Sequence, residues 1–144
     1  GAYRISNGFY FEKSPAEVTE VRRIFYDAAA NPPGGATKTY YEKIFFKNTH
    51  ATLALSSATV KEDQDPTTYV AFALATAKDD AGTNGANNRQ VAPAGLSFDS
   101  ADKGVPTANL SPGEAIGVWL ALTLAAGIVA QKSYYTVRCD GLTT

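Results

Sequence analysis

One cysteine, one histidine, one tryptophan and no methionine are found among 144 residues. Cys139 alone excludes a disulfide within the chain and a multi-cysteine zinc centre. Small secreted domains are usually stapled by disulfides, so synthesis in a reducing cytosol is the expectation. The missing methionine implies an initiator that has been removed or a trimmed chain. Charge is also scarce. Charged residues make up 19% of the sequence and the net charge is −1, with no basic stripe. That removes the electrostatic case for direct nucleic-acid binding. Long apolar runs are missing as well. The longest, AIGVWLALTLAAGIVA (115–130), is interrupted by Gly117, Thr123 and Gly127 and falls short of the ~20 residues that cross a bilayer. The opening GAYRISNGFYFEK has no apolar core, so neither a secretory leader nor a membrane partner is expected.

The lone His50 lies in FFKNTHATLAL (45–55). A metal centre needs two or more His, Cys or carboxylate ligands at matched spacing, and His50 has no such companions in sequence. No Gly-x-Ser-x-Gly elbow is present to hold a nucleophilic serine. Asn48 and Thr49 are turn formers, so KNTH reads as the bend between two strands. Two acidic loops, EDQD (62–65) and DDAGTNGANN (79–88), offer oxygen ligands of the kind calcium takes. An EF-hand register starting at Asp80 fails, because Gly82 falls on a ligand position and Val91 on the bidentate glutamate. A solvated hairpin loop is the plainer reading. There is no paired-carboxylate motif, Gly-x-Gly-x-x-Gly or phosphate loop. Asn109-Leu110-Ser111 fits a glycosylation triplet, which matters only in a secreted eukaryotic protein. No catalytic residue, metal ligand or cofactor site is therefore expected.

What the sequence does have is strands. YYEKIFFK (40–47), ATLALSSATVK (51–61), YVAFALATA (69–77), GLSF (95–98), AIGVWLALTL (115–124) and SYYTVRC (133–139) are rich in β-branched and aromatic residues. Turn-forming segments separate them: EDQDPTT (62–68), KDDAGTNGANNRQ (78–90), and NLSPGE (109–114) with its Pro-Gly pair suited to a type II turn. The spacing predicts an all-β, antiparallel sandwich, Ig-like or jelly-roll-like, over residues 40–144. In the 115–124 strand neither face carries a charge, so the second face is expected to meet a loop, the amino-terminal arm or another subunit. Residues 1–39 read as an arm and linker. SPAE (14–17) has the form of a capping box with proline at the first helical position. A strand reading of VTEVRRIFY (18–26) competes with a short helix, and NPPGGAT (31–37) joins the arm to the sandwich.

YYEKIFFKNTHATLALSSATV (40–60), PAGLSF (93–98) and LSPGEAIGVWLALTLAAGIVAQKSYYTVRCDG (110–141) together resemble a group of tailed-bacteriophage virion proteins. Members share a tyrosine-led strand running into Asn-Thr. They also share a later strand with Gly five residues before its Trp-bearing half, an Ala-Gly turn and a closing strand ending in an acidic residue and glycine. The likeness covers about two-thirds of the chain. In that group charged residues commonly follow the tryptophan, whereas here Ala121 and Leu122 do, which makes this strand more apolar. The resemblance implies a non-enzymatic virion part with an immunoglobulin-like sandwich.

Small size, near-neutrality and a jointed arm favour a capsid decoration (cement) protein within that class. Its partners would be the major capsid protein or other virion proteins. A homo-oligomer is expected, with a trimer favoured, located in a virion assembled in the bacterial cytoplasm. A neck, tail or baseplate part, or a carbohydrate- or receptor-binding sandwich, are the alternatives. Tyrosine and tryptophan are enriched at interfaces, so Tyr3, Phe9, Tyr10 and Phe11 of the arm and Trp119 are the candidate contact residues. Core packing is the competing reading for each.

Overall fold

Lys38–Lys47 (β1) and Ala115–Leu124 (β6) are both runs of alternating bulky residues, and they pair antiparallel over their whole lengths. The register is unbroken, from Lys38 opposite Leu124 to Lys47 opposite Ala115. The computed structural model that describes this fold covers residues 24–129 and 133–144. Val70–Lys78 (β3) flanks the other side of β6, so the first sheet has the order β1-β6-β3. Leu55–Gln64 (β2) is the centre of the second sheet. Thr59 is flanked by Gly104 and Asp140, and Leu55 by Leu110 and Thr143. The two-residue strands Lys103–Gly104 (β4) and Asn109–Leu110 (β5) thus share one side of β2, and Thr136–Thr143 (β7) takes the other. A single short helix, Tyr26–Ala30 (α1), precedes β1.

Period-2 alternation turns one face of each sheet inward. Ile44, Phe46, Phe72, Val118 and Leu120 from the first sheet meet Leu55, Val60, Leu110, Val137 and Cys139 from the second. Burying a side chain of the Val, Leu or Phe kind contributes about 1.5–3 kcal/mol each. This layer is the core of an all-β, sandwich-like fold, as the strand spacing predicts.

Some boundaries differ from the sequence reading, for physical reasons. β2 runs on to Gln64 instead of turning at Glu62, because Arg138 on β7 pairs with Asp63 across the ladder. The turn begins at Asp65. Its carboxylate accepts from Thr67 N, Thr68 N and Val70 N and so holds the chain through the reversal. Residues 95–98 are not a strand: Gly95 adopts φ 75°, and the segment touches the sheet only through the Phe72–Asp99 bridge. Residues 51–54 belong to the β1–β2 loop, and the last strand begins at Thr136, where β7 first meets Gln64. Ile24 and Phe25 form a turn that enters α1 and packs against the core, so the strand reading of 18–26 does not hold at its end. The capping-box segment 14–17 lies outside the described residues. The expected type II turn is present at Ser111–Glu114. Gly113 sits at φ 85°, and Glu114 N donates to Ser111 O over 3.0 Å.

Candidate functional site

His50 is exposed, in the loop after β1, and its ring completes a turn. Nδ1 accepts from Thr52 N at 3.1 Å and from Leu53 N at 2.9 Å, which places the ring proton on Nε2. The neighbouring Asn48 is 1% exposed. Its Nδ2 donates to Leu53 O and to Leu110 O, both at 2.9 Å, and its Oδ1 accepts from His50 N at 3.0 Å. Its backbone N–H donates to Glu114 O, and its carbonyl accepts from Gly113 N. One side chain therefore ties the end of β1, the β1–β2 loop and the β5–β6 turn together. A buried amide pays for its desolvation only when its hydrogen bonds are made, and here they are.

The outward face of the first sheet is covered by the chain itself. Lys43 on β1 lies directly opposite Trp119 on β6. Its Nζ donates to Asp80 O at 2.6 Å and Gly82 O at 2.8 Å, with the Asp80 carboxylate 3.8 Å away. The ammonium also stands 5.4 Å from the Phe45 and Trp119 ring centroids, within cation–π range. Burial lowers the Lys43 pKa, and the Asp80 charge works against that shift. Gly117 makes room for this side chain, since a Cβ there would lie 2.5 Å from Lys43 Cε.

Further along, the loop after β3 clasps both β1 and α1. Tyr41 N donates to Arg89 O, and the Tyr41 and Phe98 rings stand 5.5 Å apart. The Arg89 guanidinium pairs with Glu42 at 3.1 Å and stacks on Tyr26, while Gln90 donates to Asp27. Glu42 is raised, chiefly by burial; Arg89 opposes this, and Asp27 adds to it. The second face of β6 is accordingly met by a loop, one of the three coverings its lack of charge calls for.

The outward face of the second sheet is different in kind. It carries an alternating row of charges: Asp102, Lys61, Asp140, Arg138 and Asp63. Lys61 Nζ lies 3.6 Å from Asp102 and 3.7 Å from Asp140. Arg138 lies 3.3 Å from Asp140 and 3.2 Å from Asp63. Such partly exposed pairs contribute little to stability. They do give the surface a definite charge pattern, beside the edge of β7, and Leu142 on the same strand is 67% exposed. Among the described residues β7 pairs with β2 alone. At the end of this sheet, burial raises the pKa of Glu62, and the nearby Asp65 carboxylate adds to the rise. Burial likewise raises Tyr135, with Glu62 contributing. Cys139 points into the core, and burial pushes its thiol up to about 12. That makes it a poor nucleophile.

Of the candidate contact residues, Tyr3, Phe9, Tyr10 and Phe11 lie outside the described residues. Trp119 is 5% exposed, packed beneath the chain's own loop and not presented to a partner. The acidic loops are engaged internally: Asp79 accepts from Ala115 N, and Asp80 accepts from Gly82 N. No group of three or more metal-ligating side chains is found among the described residues. Sequence reasoning missed the β7 edge and its charge row. The signal available was the R-C-D alternation at 138–140, which puts opposite charges on one face of a strand. No known family, curated protein or solved structure matches the chain.

Proposed function

We propose that this chain is a non-enzymatic structural protein of a tailed-bacteriophage virion, a decoration protein that stabilises the head by bridging neighbouring capsid subunits. The observation that carries the structural half of this reading is the state of His50. The one side chain best suited to proton transfer near neutral pH has its Nδ1 committed to two backbone amides. Lys43 and Asn48 are likewise engaged in holding loops. The virion half rests on the sequence resemblance at 40–60, 93–98 and 110–141. A small sandwich with a charge-patterned outer face and an amino-terminal arm suits many-copy attachment to a lattice. Weak individual contacts gain there from multivalency. The partners on this reading are the major capsid protein and further copies of this chain.

Co-sedimentation of the purified protein with isolated phage heads, and separately with isolated tails, tests the proposal. Saturable binding to heads, in multiples of the capsid symmetry, is the expected result. Binding to tails alone would move the protein to the neck, tail or baseplate. Binding to neither, together with a positive glycan screen, would replace the virion reading by a carbohydrate-binding one.

A further inference from the structure

The edge of β7 has the geometry of a self-complementary pairing surface. Ala54 and Thr144 exchange both backbone hydrogen bonds, each at 3.0 Å. In an antiparallel ladder the backbone groups of successive residues alternate in direction. Even-numbered residues of β7 therefore turn their N–H and C=O groups towards β2, and Val137, Cys139 and Gly141 turn theirs away from it. The ladder irregularities opposite Ser56/Thr59 and Glu62/Gln64 lie on β2, so the alternation along β7 is not interrupted. Side chains divide the other way: Val137 and Cys139 are buried in the core, whereas Arg138 and Asp140 sit on the outward face.

We propose that β7 pairs antiparallel with β7 of a second copy, about a two-fold axis passing beside Cys139. In this register Val137 faces Gly141 of the other copy, Cys139 faces Cys139, and the outward-directed backbone groups of these residues meet. Arg138 then stands opposite Asp140 of the second copy, and Asp140 opposite its Arg138. The charge pattern selects this register from its neighbours. Centring the pair on Arg138 sets arginine against arginine, and centring it on Asp140 sets aspartate against aspartate. Like charges directly opposed across strands are destabilising and opposite charges stabilising. Exposed Leu142 meets Thr136 of the other copy and covers part of its apolar surface.

Open strand edges invite unspecific pairing, and charges along the edge oppose it. Here the same charges that discourage a foreign strand admit an identical one. Two short edges make an interface smaller than the ~1,200 Å² at the lower end of stable complexes. The pairing is accordingly weak in free solution and strengthened wherever copies are held close together. An isologous contact of this kind makes pairs and leaves any three-fold assembly to other surfaces. The inference does not depend on the virion reading.

Cysteine cross-linking tests it. In the proposed register residue 136 faces residue 142 of the second copy, with Cβ atoms ~4.5–5.5 Å apart, close enough to disulfide range. Within one chain the two positions are ~20 Å apart along the strand and cannot bridge. Thr136→Cys and Leu142→Cys are prepared separately, checked for folding by circular dichroism, and oxidised alone and mixed at sub-millimolar concentration. A disulfide-linked dimer in the mixture, far in excess of that in either variant alone, is expected. Absence of cross-linking in the mixture, or equal cross-linking in all three samples, overturns the proposal.

Sedimentation of charge variants provides the second arm. Arg138→Glu and Asp140→Lys should each shift towards monomer relative to the unaltered chain, because like charges then face one another. Mixed one to one they form both opposite-charge pairs, and the heterodimer should reappear. Failure of the mixture to associate beyond either variant overturns the register.

Discussion

Lys43 and Trp119 face one another across the β1–β6 pair, with the ammonium 5.4 Å from the indole centroid and its protons given to the carbonyls of Asp80 and Gly82. The long loop after β3 is thereby fastened over an otherwise bare apolar face. Lys43→Met keeps an apolar stem of similar length but removes the charge and both hydrogen bonds. The expected cost is about 1–2 kcal/mol, since hydrogen bonds to a charged donor are the stronger kind and the freed carbonyls can find water. Fluorescence from the only tryptophan should shift to the red, and hydrogen exchange should quicken over 79–98 more than in the core strands. Unchanged exchange in that loop would show that Lys43 does not hold it.

Asn48 is the polar residue on which three segments converge. Asn48→Ala leaves the carbonyls of Leu53 and Leu110 without their donor, and the Leu110 contact is fully buried. A buried polar group without a partner costs about 1–3 kcal/mol, so a loss of about 2–4 kcal/mol is expected for the pair, read as a fall in the urea midpoint. Asn48→Asp should fare little better, because a carboxylate has no donors to offer either carbonyl.

Gly141 lies opposite the ladder irregularity at Ser56/Thr59. A Cβ there would sit 2.6 Å from Leu55 Cγ and 2.7 Å from the Ser56 carbonyl oxygen. The second contact is with backbone and cannot be relieved by a rotamer change. Gly141→Ala should destabilise by about 1–3 kcal/mol, the usual range for overpacking, measured by thermal or urea unfolding. Gly104→Ala is the control: nothing lies within 4 Å of its Cβ position, so a change of a few tenths of a kcal/mol is expected.

The strands were legible because alternation and β-branched content are local signals, and 115–124 has its boundaries in the sequence itself. The Pro112-Gly113 turn was legible for the same reason, since only glycine readily takes φ 85°. GLSF misled because its composition suits a strand, whereas Gly95 turns the backbone and no neighbouring strand is in reach. Trp119 was rightly marked as lying on an apolar second face. What covers that face is settled by residues some forty positions away, whose return over the sheet leaves no local mark. Asn48 showed only as a turn former; its burial depends on the β5–β6 turn arriving from the far end of the chain.

Alkaline unfolding should reveal the buried thiol of Cys139. In the native state burial pushes its pKa up to about 12, whereas an unfolded cysteine ionises near ~8.5. Below ~8.5 both states hold the proton and pH has no effect through this group. Between the two values only the unfolded chain releases it, so ν_U is smaller than ν_N and stability falls as pH rises, by up to ~1.4 kcal/mol per unit. Lys43 acts in the opposite sense. Its native pKa is lowered, so the folded state deprotonates first and this group favours folding as pH rises towards its unfolded value. Comparing the unaltered chain with Cys139→Ala cancels the Lys43 contribution. Both should be followed by urea unfolding from pH ~7 to ~10, below the range where unfolded tyrosines dominate. Cys139→Ala starts from lower stability because of the cavity it leaves, but its stability should decline less steeply above ~8.5. Parallel curves would mean that the native thiol ionises as readily as the unfolded one, contrary to its place in the core.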